Sequence, residues 1–184
     1  MTDPVGFAVD TDKTIYVADN AGTEDLVRVF EYSDTTASWT YDEDWDSTFT
    51  TIRDIGLMGA LVYVAAGSSV ELYSTAGDPY PDAGGQYVFT GASEPEDLAS
   101  NNTYMFVLDS DGTIYRVTNQ GTSDTNWSVS GATGIGANIS YVFACDGSAI
   151  SQYDEDGNTA GSATFAPTTP YDITASRTEV YVIS

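Results

Sequence analysis

The chain has no histidine, one cysteine and one lysine, and each shortage closes a set of options. Without histidine there is no Ser-His-Asp or Cys-His nucleophile pair and no imidazole metal ligand. A single cysteine, Cys145, precludes an internal disulfide; with no histidine to activate it, the thiol reads as a small core residue rather than a nucleophile. No apolar run reaches the roughly 18 residues of a membrane span, so none is expected. The start, Met1-Thr2-Asp3-Pro4, carries neither the basic nor the apolar region of an export signal. The five basic residues, Lys13, Arg28, Arg53, Arg116 and Arg177, stand isolated. Phosphate backbones need clustered cations, so no nucleic-acid partner is expected. Helical hydrophobic stripes are missing too, which leaves strands as the building unit.

What is abundant fits that unit. Val, Thr, Tyr, Ala, Ser and Gly dominate, and 41% of the residues are apolar, enough for one domain with a core. Around Asp111-Gly112, Phe106 and Leu108 alternate with Val107 and Asp109. Ile114 and Arg116 then alternate with Tyr115 and Val117, and alternation on both sides of an Asp-Gly pair predicts a hairpin.

The hairpin recurs. Its first strand begins Ile15-Tyr16-Val17, Val62-Tyr63-Val64, Met105-Phe106-Val107, Val142-Phe143-Ala144 and Val180-Tyr181-Val182. The aromatic anchors Tyr16, Tyr63, Phe106, Phe143 and Tyr181 are spaced by 47, 43, 37 and 38 residues. Periods near 40 fit a four-stranded propeller blade. Before each anchor strand (B) lies another short strand (A), near Val9, Leu57, Ala99, Ile139 and Thr174. Strands C are expected over 26–32, 69–73, 113–117 and 149–153, and strands D over 37–41, 86–90, 126–130 and 162–165. The expected architecture is all-β: a single domain over 1–184, a small five-bladed β-propeller of four-stranded antiparallel blades. The blades fall at about 4–46, 47–91, 92–132, 133–166 and 167–184. The last has strands A and B only, unless another chain completes its sheet, and its edge at Tyr181–Ser184 is either a docking site or a short unprotected edge.

Charge is the second signal. Against the five basic residues stand 28 acids, 20 Asp and 8 Glu, for a net charge of -23. Such self-repulsion is tolerable where salt shortens its range. Asp excess with lysine depletion points to a protein of a salt-in haloarchaeon or its virus; the plainer alternative is an acidic extracellular domain.

Candidate ligand contacts are few. Tyr41 and Trp45 sit among Asp42, Glu43, Asp44 and Asp46, and aromatics beside carboxylates suit sugar stacking and hydroxyl recognition; outer-strand packing is the plainer reading. Trp39 and Trp127 are expected between blades. Tyr80, between Pro79 and Pro81 in the long insertion 75–85, is a rigidly presented contact for a partner, or part of an ordinary loop. The turns at Asp10, Asp109 and Asp154 look like calcium-loop starts, but the twelfth position of the latter two is Gln120 and Phe165 rather than Glu. No metal and no cofactor are expected. Sequons occur at Asn101, Asn126 and Asn138. Carboxylate pairs, which suffice for glycoside hydrolysis, arise by chance among so many acids and none stands out. No enzyme is expected.

The Tyr16-Val17-Ala18-Asp19 and Tyr63-Val64-Ala65-Ala66 pattern, with proline near strand A and Gly or Asp-Gly before strand C, resembles the YVTN and NHL type of β-propeller repeat over nearly the whole chain. Unit four lacks the proline and unit two the Asp. The resemblance implies a binding scaffold and transfers no catalytic residue. Acidity, small size and the missing leader look like a structural protein of a haloarchaeal virus: a spike, turret or capsid decoration on the virion. Such a protein would bind other virion proteins or a host surface glycoprotein or glycan within an oligomeric assembly. The alternative is a soluble carbohydrate-binding or glycoside-hydrolysing propeller in the cytoplasm of a halophilic archaeon.

Overall fold

The computed structural model describes residues 1, 3–20, 25–45, 49–81, 86–162 and 169–184. Short β-favouring segments joined by brief turns leave each segment its sequence neighbours as partners. The first sheet runs β1 (Pro4–Val9), β2 (Ile15–Asn20), β3 (Asp25–Ser33) and β4 (Ser38–Asp44). The second is β5 (Ile52–Met58), β6 (Leu61–Ala66), β7 (Ser69–Ser74) and β8 (Val88–Phe89). The third is β9 (Pro95–Ser100), β10 (Met105–Asp109), β11 (Thr113–Val117) and β12 (Ser123–Ser128). The fourth is β13 (Gly134–Ala137), β14 (Val142–Cys145), β15 (Ile150–Tyr153) and β16 (Thr159–Ser162). The last holds β17 (Asp172–Ala175) and β18 (Val180–Ile183). Every pairing is antiparallel. The strands A, namely β1, β5, β9, β13 and β17, pack side by side in that order. They line one cavity of about 640 Å³. This is the propeller expected from the repeat, with a two-stranded last blade.

Strand alternation builds a core between each pair of blades. The aromatic anchor of one blade faces the next, while its flanking Val or Ala residues face the previous one. Thus Tyr16, Val27 and Trp45 of the first blade meet Ile52, Ile55 and Val64 of the second. Tyr63 and Leu72 meet Leu98, Met105 and Val107. Phe106 and Ile114 meet Ile135 and Val142, and Phe143 with Cys145 meets Ile173. Tyr63 and Phe106 are wholly buried; each such side chain contributes roughly 1.5–3 kcal/mol of transfer free energy. The free Cys145 is part of this packing, and burial pushes its thiol pKa up.

A fifth junction of this kind does not form. Tyr181, the last anchor, is 54% exposed, and Phe7, which occupies the place of Ile55 in β1, is 71% exposed. β1 and β17–β18 border the same cavity without packing as successive blades do.

Three details differ from expectation. The outer strands β12 and β16 begin three residues earlier than predicted, at Ser123 and Thr159 rather than Asn126 and Ser162, and residues 163–165 of the predicted fourth strand D lie outside the described residues. β8 shrinks to two residues. Trp39 is half-exposed, packing against Tyr32 at a tilt with ring centres 4.8 Å apart and donating to the Lys13 carbonyl at 2.9 Å. The tryptophan that does fill the first junction is Trp45, the counterpart of Trp127 in the third. Each lies against a left-handed glycine of the following blade: a Cβ on Gly77 would come within 2.7 Å of Trp45, and one on Gly157 within 2.5 Å of Trp127.

Candidate functional site

The channel is built by one position of strand A. Aligned across the five blades it reads Gly6, Asp54, Asp97, Gly134 and Asp172, and all but Gly134 border the cavity. The carboxylates tie neighbouring blades through backbone amides that an inner strand edge would otherwise leave unpaired. Asp54 accepts the Leu98 amide of the third blade at 2.8 Å. Asp97 accepts the Ile135 amide of the fourth at 2.6 Å and the adjacent Leu98 amide at 2.8 Å. Asp172 accepts Ile173 at 2.7 Å. The glycines make room: a Cβ on Gly6 would stand 2.2 Å from Asp54 Oδ1, and one on Gly134 2.8 Å from Asp172 Oδ1.

Blades two and three both carry Asp at this position, so two carboxyls meet and hydrogen-bond each other. Desolvation pushes Asp54 up to about 7, with the Asp172 charge adding to it, while amides of Ile55 and Leu98 pull the other way. Asp97 is held well above the ordinary carboxylate value, first by desolvation and then by the Asp54 charge. Both side chains keep some accessible area because they line a cavity, yet they sit deep between strands, and depth governs their hydration. Folding therefore raises the proton affinity of this pair, with burial as the main cause.

A second set of acids ends the anchor strands. Asp109 accepts the Ser93 amide and hydroxyl and, at 2.6 Å, the Glu94 amide, all just ahead of β9. These bonds overcome its burial and lower its pKa. Asp19 likewise accepts the Asp3 amide at 2.8 Å and the Arg28 guanidinium at 2.7 Å. This is the work of the Asp in the Tyr-Val-Ala-Asp pattern: it fastens the chain entering a blade to that blade's second strand.

The residues singled out in sequence are not brought together. Trp45 is 4% exposed, wedged between Tyr16 and Tyr73. Tyr80 precedes a cis peptide to Pro81, is half-buried, and meets Tyr87 edge-on at 5.9 Å. Tyr41 is exposed on β4 and rests edge-on against Phe30 at 5.8 Å. Asp46 of the acidic cluster, and residues 82–85 of the insertion, lie outside the described residues. The calcium-like turns spend their carboxylates internally: Asp10 Oδ1 accepts the Asp12 and Thr14 amides, and Asp154 Oδ1 those of Asp156 and Asn158. Among the described residues no group of three His, Cys, Asp or Glu could hold a metal ion.

At one mouth of the channel the turns between strands A and B of blades three, four and five enclose a pocket of about 370 Å³. Asn101, Asn102, Asn138, Ile139, Ser176 and Arg177 line it. Asn101 and Asn138 each close their turn by accepting two backbone amides on Oδ1, and Ser176 does the same through its hydroxyl.

No family model matches the chain, and a search of curated proteins finds none that matches. Among solved structures it is similar to the selenomethionine-substituted virginiamycin B lyase from Staphylococcus aureus, with a TM-score of 0.65 and 14% sequence identity. The similarity covers 99% of this chain and 63% of that one, so this chain spans less than two thirds of its length. At that identity the likeness shows the fold alone, and the fold is a β-propeller.

Proposed function

We propose that this propeller is a non-enzymatic docking module that works in brine, a structural and attachment component of a haloarchaeal virus particle. It binds neighbouring capsid or tail proteins or the host surface. The observation that carries a protein-binding role is the concentration of exposed large apolar side chains on the unpaired blade faces. Phe7 on β1, and Tyr181 and Ile183 on β18, stand in solvent although the same positions in other blades form cores, and Val9 and Tyr171 nearby are exposed as well. A non-catalytic channel is supported by the use of its carboxylates: Asp54 and Asp97 spend oxygens on backbone amides, which is structural work. The lyase activity in the name of the similar structure belongs to that protein, and no chemistry is carried over from it.

Purification of particles from a haloarchaeal host tests the reading. The protein should band with particles in high salt and leave them when Phe7→Asp or Tyr181→Asp is introduced. A protein found only in the soluble cell fraction, with both variants behaving like wild type, would overturn it.

A soluble glycan-binding propeller is the second reading. Tyr41, exposed beside Asp42 and Glu43, favours it. It predicts saturable binding on a glycan array that Tyr41→Ala abolishes.

A further inference from the structure

The mouth pocket holds a cation and no acid among its lining residues. In a chain with 28 acids and five basic residues, four of the cations are ion-paired. Lys13 meets Asp34, Arg28 meets Asp19 and Asp44, Arg53 meets Glu94, and Arg116 meets Asp124 and Asp156. Arg177 has no ion pair among the described residues, and it lines the pocket. The acid nearest to it in sequence, Glu179, is taken by the Tyr181 hydroxyl at 2.6 Å. No carboxylate lines the pocket.

The other polar groups reinforce the cation. Asn101 Oδ1 accepts the Thr103 and Tyr104 amides at 3.0 and 2.8 Å. Asn138 Oδ1 accepts Ser140 and Tyr141, both at 2.9 Å. With both lone pairs of each carbonyl engaged, the unspent end of each side chain is its NH₂ group, a donor. The same bonds fix the rotamers, so the donors are held in place before any ligand arrives. Ser176 is engaged similarly, accepting the Glu179 amide and donating to the Glu179 carbonyl. The pocket residues thus include a guanidinium and two asparagines whose carbonyls are already spent on backbone amides, with the apolar, largely exposed Ile139 beside them.

We propose that this pocket binds a small carboxylate-bearing ligand of uronic-acid size. The Arg177 fork takes the carboxylate, the Asn101 and Asn138 amides donate to it or to adjoining hydroxyls, and Ile139 covers the carbon skeleton. A guanidinium matches a carboxylate in a bidentate pair. The volume falls within the range of roughly 300–1,000 Å³ usual for small-molecule sites. The site goes beyond the docking role proposed above and stands without it, since it depends on neither particles nor the exposed blade faces.

The test is a titration of the whole chain with D-glucuronate, and separately with D-glucose, in molar KCl, read by isotope-edited NMR. Glucuronate should shift the amides of turns 101–104, 138–141 and 176–179 saturably, and glucose should bind at least about tenfold more weakly. Arg177→Ala should weaken glucuronate by about tenfold or more and Arg177→Lys by less, because a point charge replaces the fork. Arg177 sits exposed on a turn, so unshifted amides elsewhere report an intact fold. Equal binding of glucose and glucuronate, unchanged binding in Arg177→Ala, or no saturable shift with glucuronate would each overturn the proposal.

Discussion

The Asp97 carboxylate of the third blade accepts the Ile135 amide of the fourth at 2.6 Å, joining two blades whose ladders run only within each sheet. Replacing Asp97 by Ala leaves that buried amide without its acceptor and should lower stability by about 1–3 kcal/mol. Asn at the same position keeps an oxygen for Ile135 and an NH₂ for Asp54. Urea unfolding in molar KCl should therefore rank Asp97→Asn well above Asp97→Ala; equal losses would mean that the inter-blade bond is not what matters.

The same pair sets a pH dependence. The carboxyls of Asp54 and Asp97 take up protons more readily in the folded chain than in the unfolded one, the former with a folded pKa of about 7. Between the ordinary carboxylate range and that value the folded state holds more protons, so stability falls as pH rises. The pair's contribution is complete below the unfolded pKa and lost once pH passes the folded one. Asp109, Asp124 and Asp146 are shifted downward and act at lower pH with the opposite sign, removing stability as pH falls into the acid range. The melting temperature should peak in mildly acidic solution and decline toward pH 8, and Asp97→Asn should flatten the decline. A wild-type curve that climbs steadily to pH 8 would refute the upward shift of the pair.

Salt should matter more than for a typical domain. With a net charge of -23, self-repulsion acts over about 30 Å at 0.01 M salt and about 3 Å at 1 M. The melting temperature should climb steeply with KCl. Sucrose at matched osmolality, which acts by exclusion rather than screening, should raise it much less. Similar gains from both would show that screening is not the cause.

Much of this molecule was legible in its sequence, because strands A, B and C carry apolar residues on alternate positions and the anchors Tyr16, Tyr63, Phe106, Phe143 and Tyr181 mark the repeat. Strands D were misplaced where they read Ser-Asp-Thr-Asn-Trp-Ser and Thr-Ala-Gly-Ser: an outermost strand has little to bury, so its register leaves a faint pattern. Trp45 follows the acidic run 42–44, where sugar stacking and outer-strand packing both fitted it; the chain turns inward there and its backbone amide donates to the Val27 carbonyl at 2.9 Å. The channel carboxylates had a signal that composition hid. Asp54, Asp97 and Asp172 fall at one aligned position near the start of strand A, but among 28 acids three more read as solvated charge. The donor-rich mouth pocket had none, since it depends on which side-chain atoms the turns consume.

The contact between Trp127 and Gly157 offers the sharpest check on how blades are held together. Gly157 has φ +80°, in the left-handed region, and a Cβ there would come within 2.5 Å of the Trp127 ring. Gly147 has φ +76° as well, but a Cβ on it would meet nothing within 4 Å. Alanine at either site incurs the conformational cost of left-handed backbone, about 1–2 kcal/mol. Only at Gly157 must an indole also move, and overpacking of that kind costs a further 1–3 kcal/mol or so. Gly157→Ala should therefore be clearly the less stable of the two in urea unfolding, with its tryptophan fluorescence altered in the native state, while Gly147→Ala keeps the wild-type spectrum. If the two variants unfold at the same urea concentration, Trp127 does not rest on the following blade's turn, and the seating shared with Trp45 and Gly77 loses its support as well.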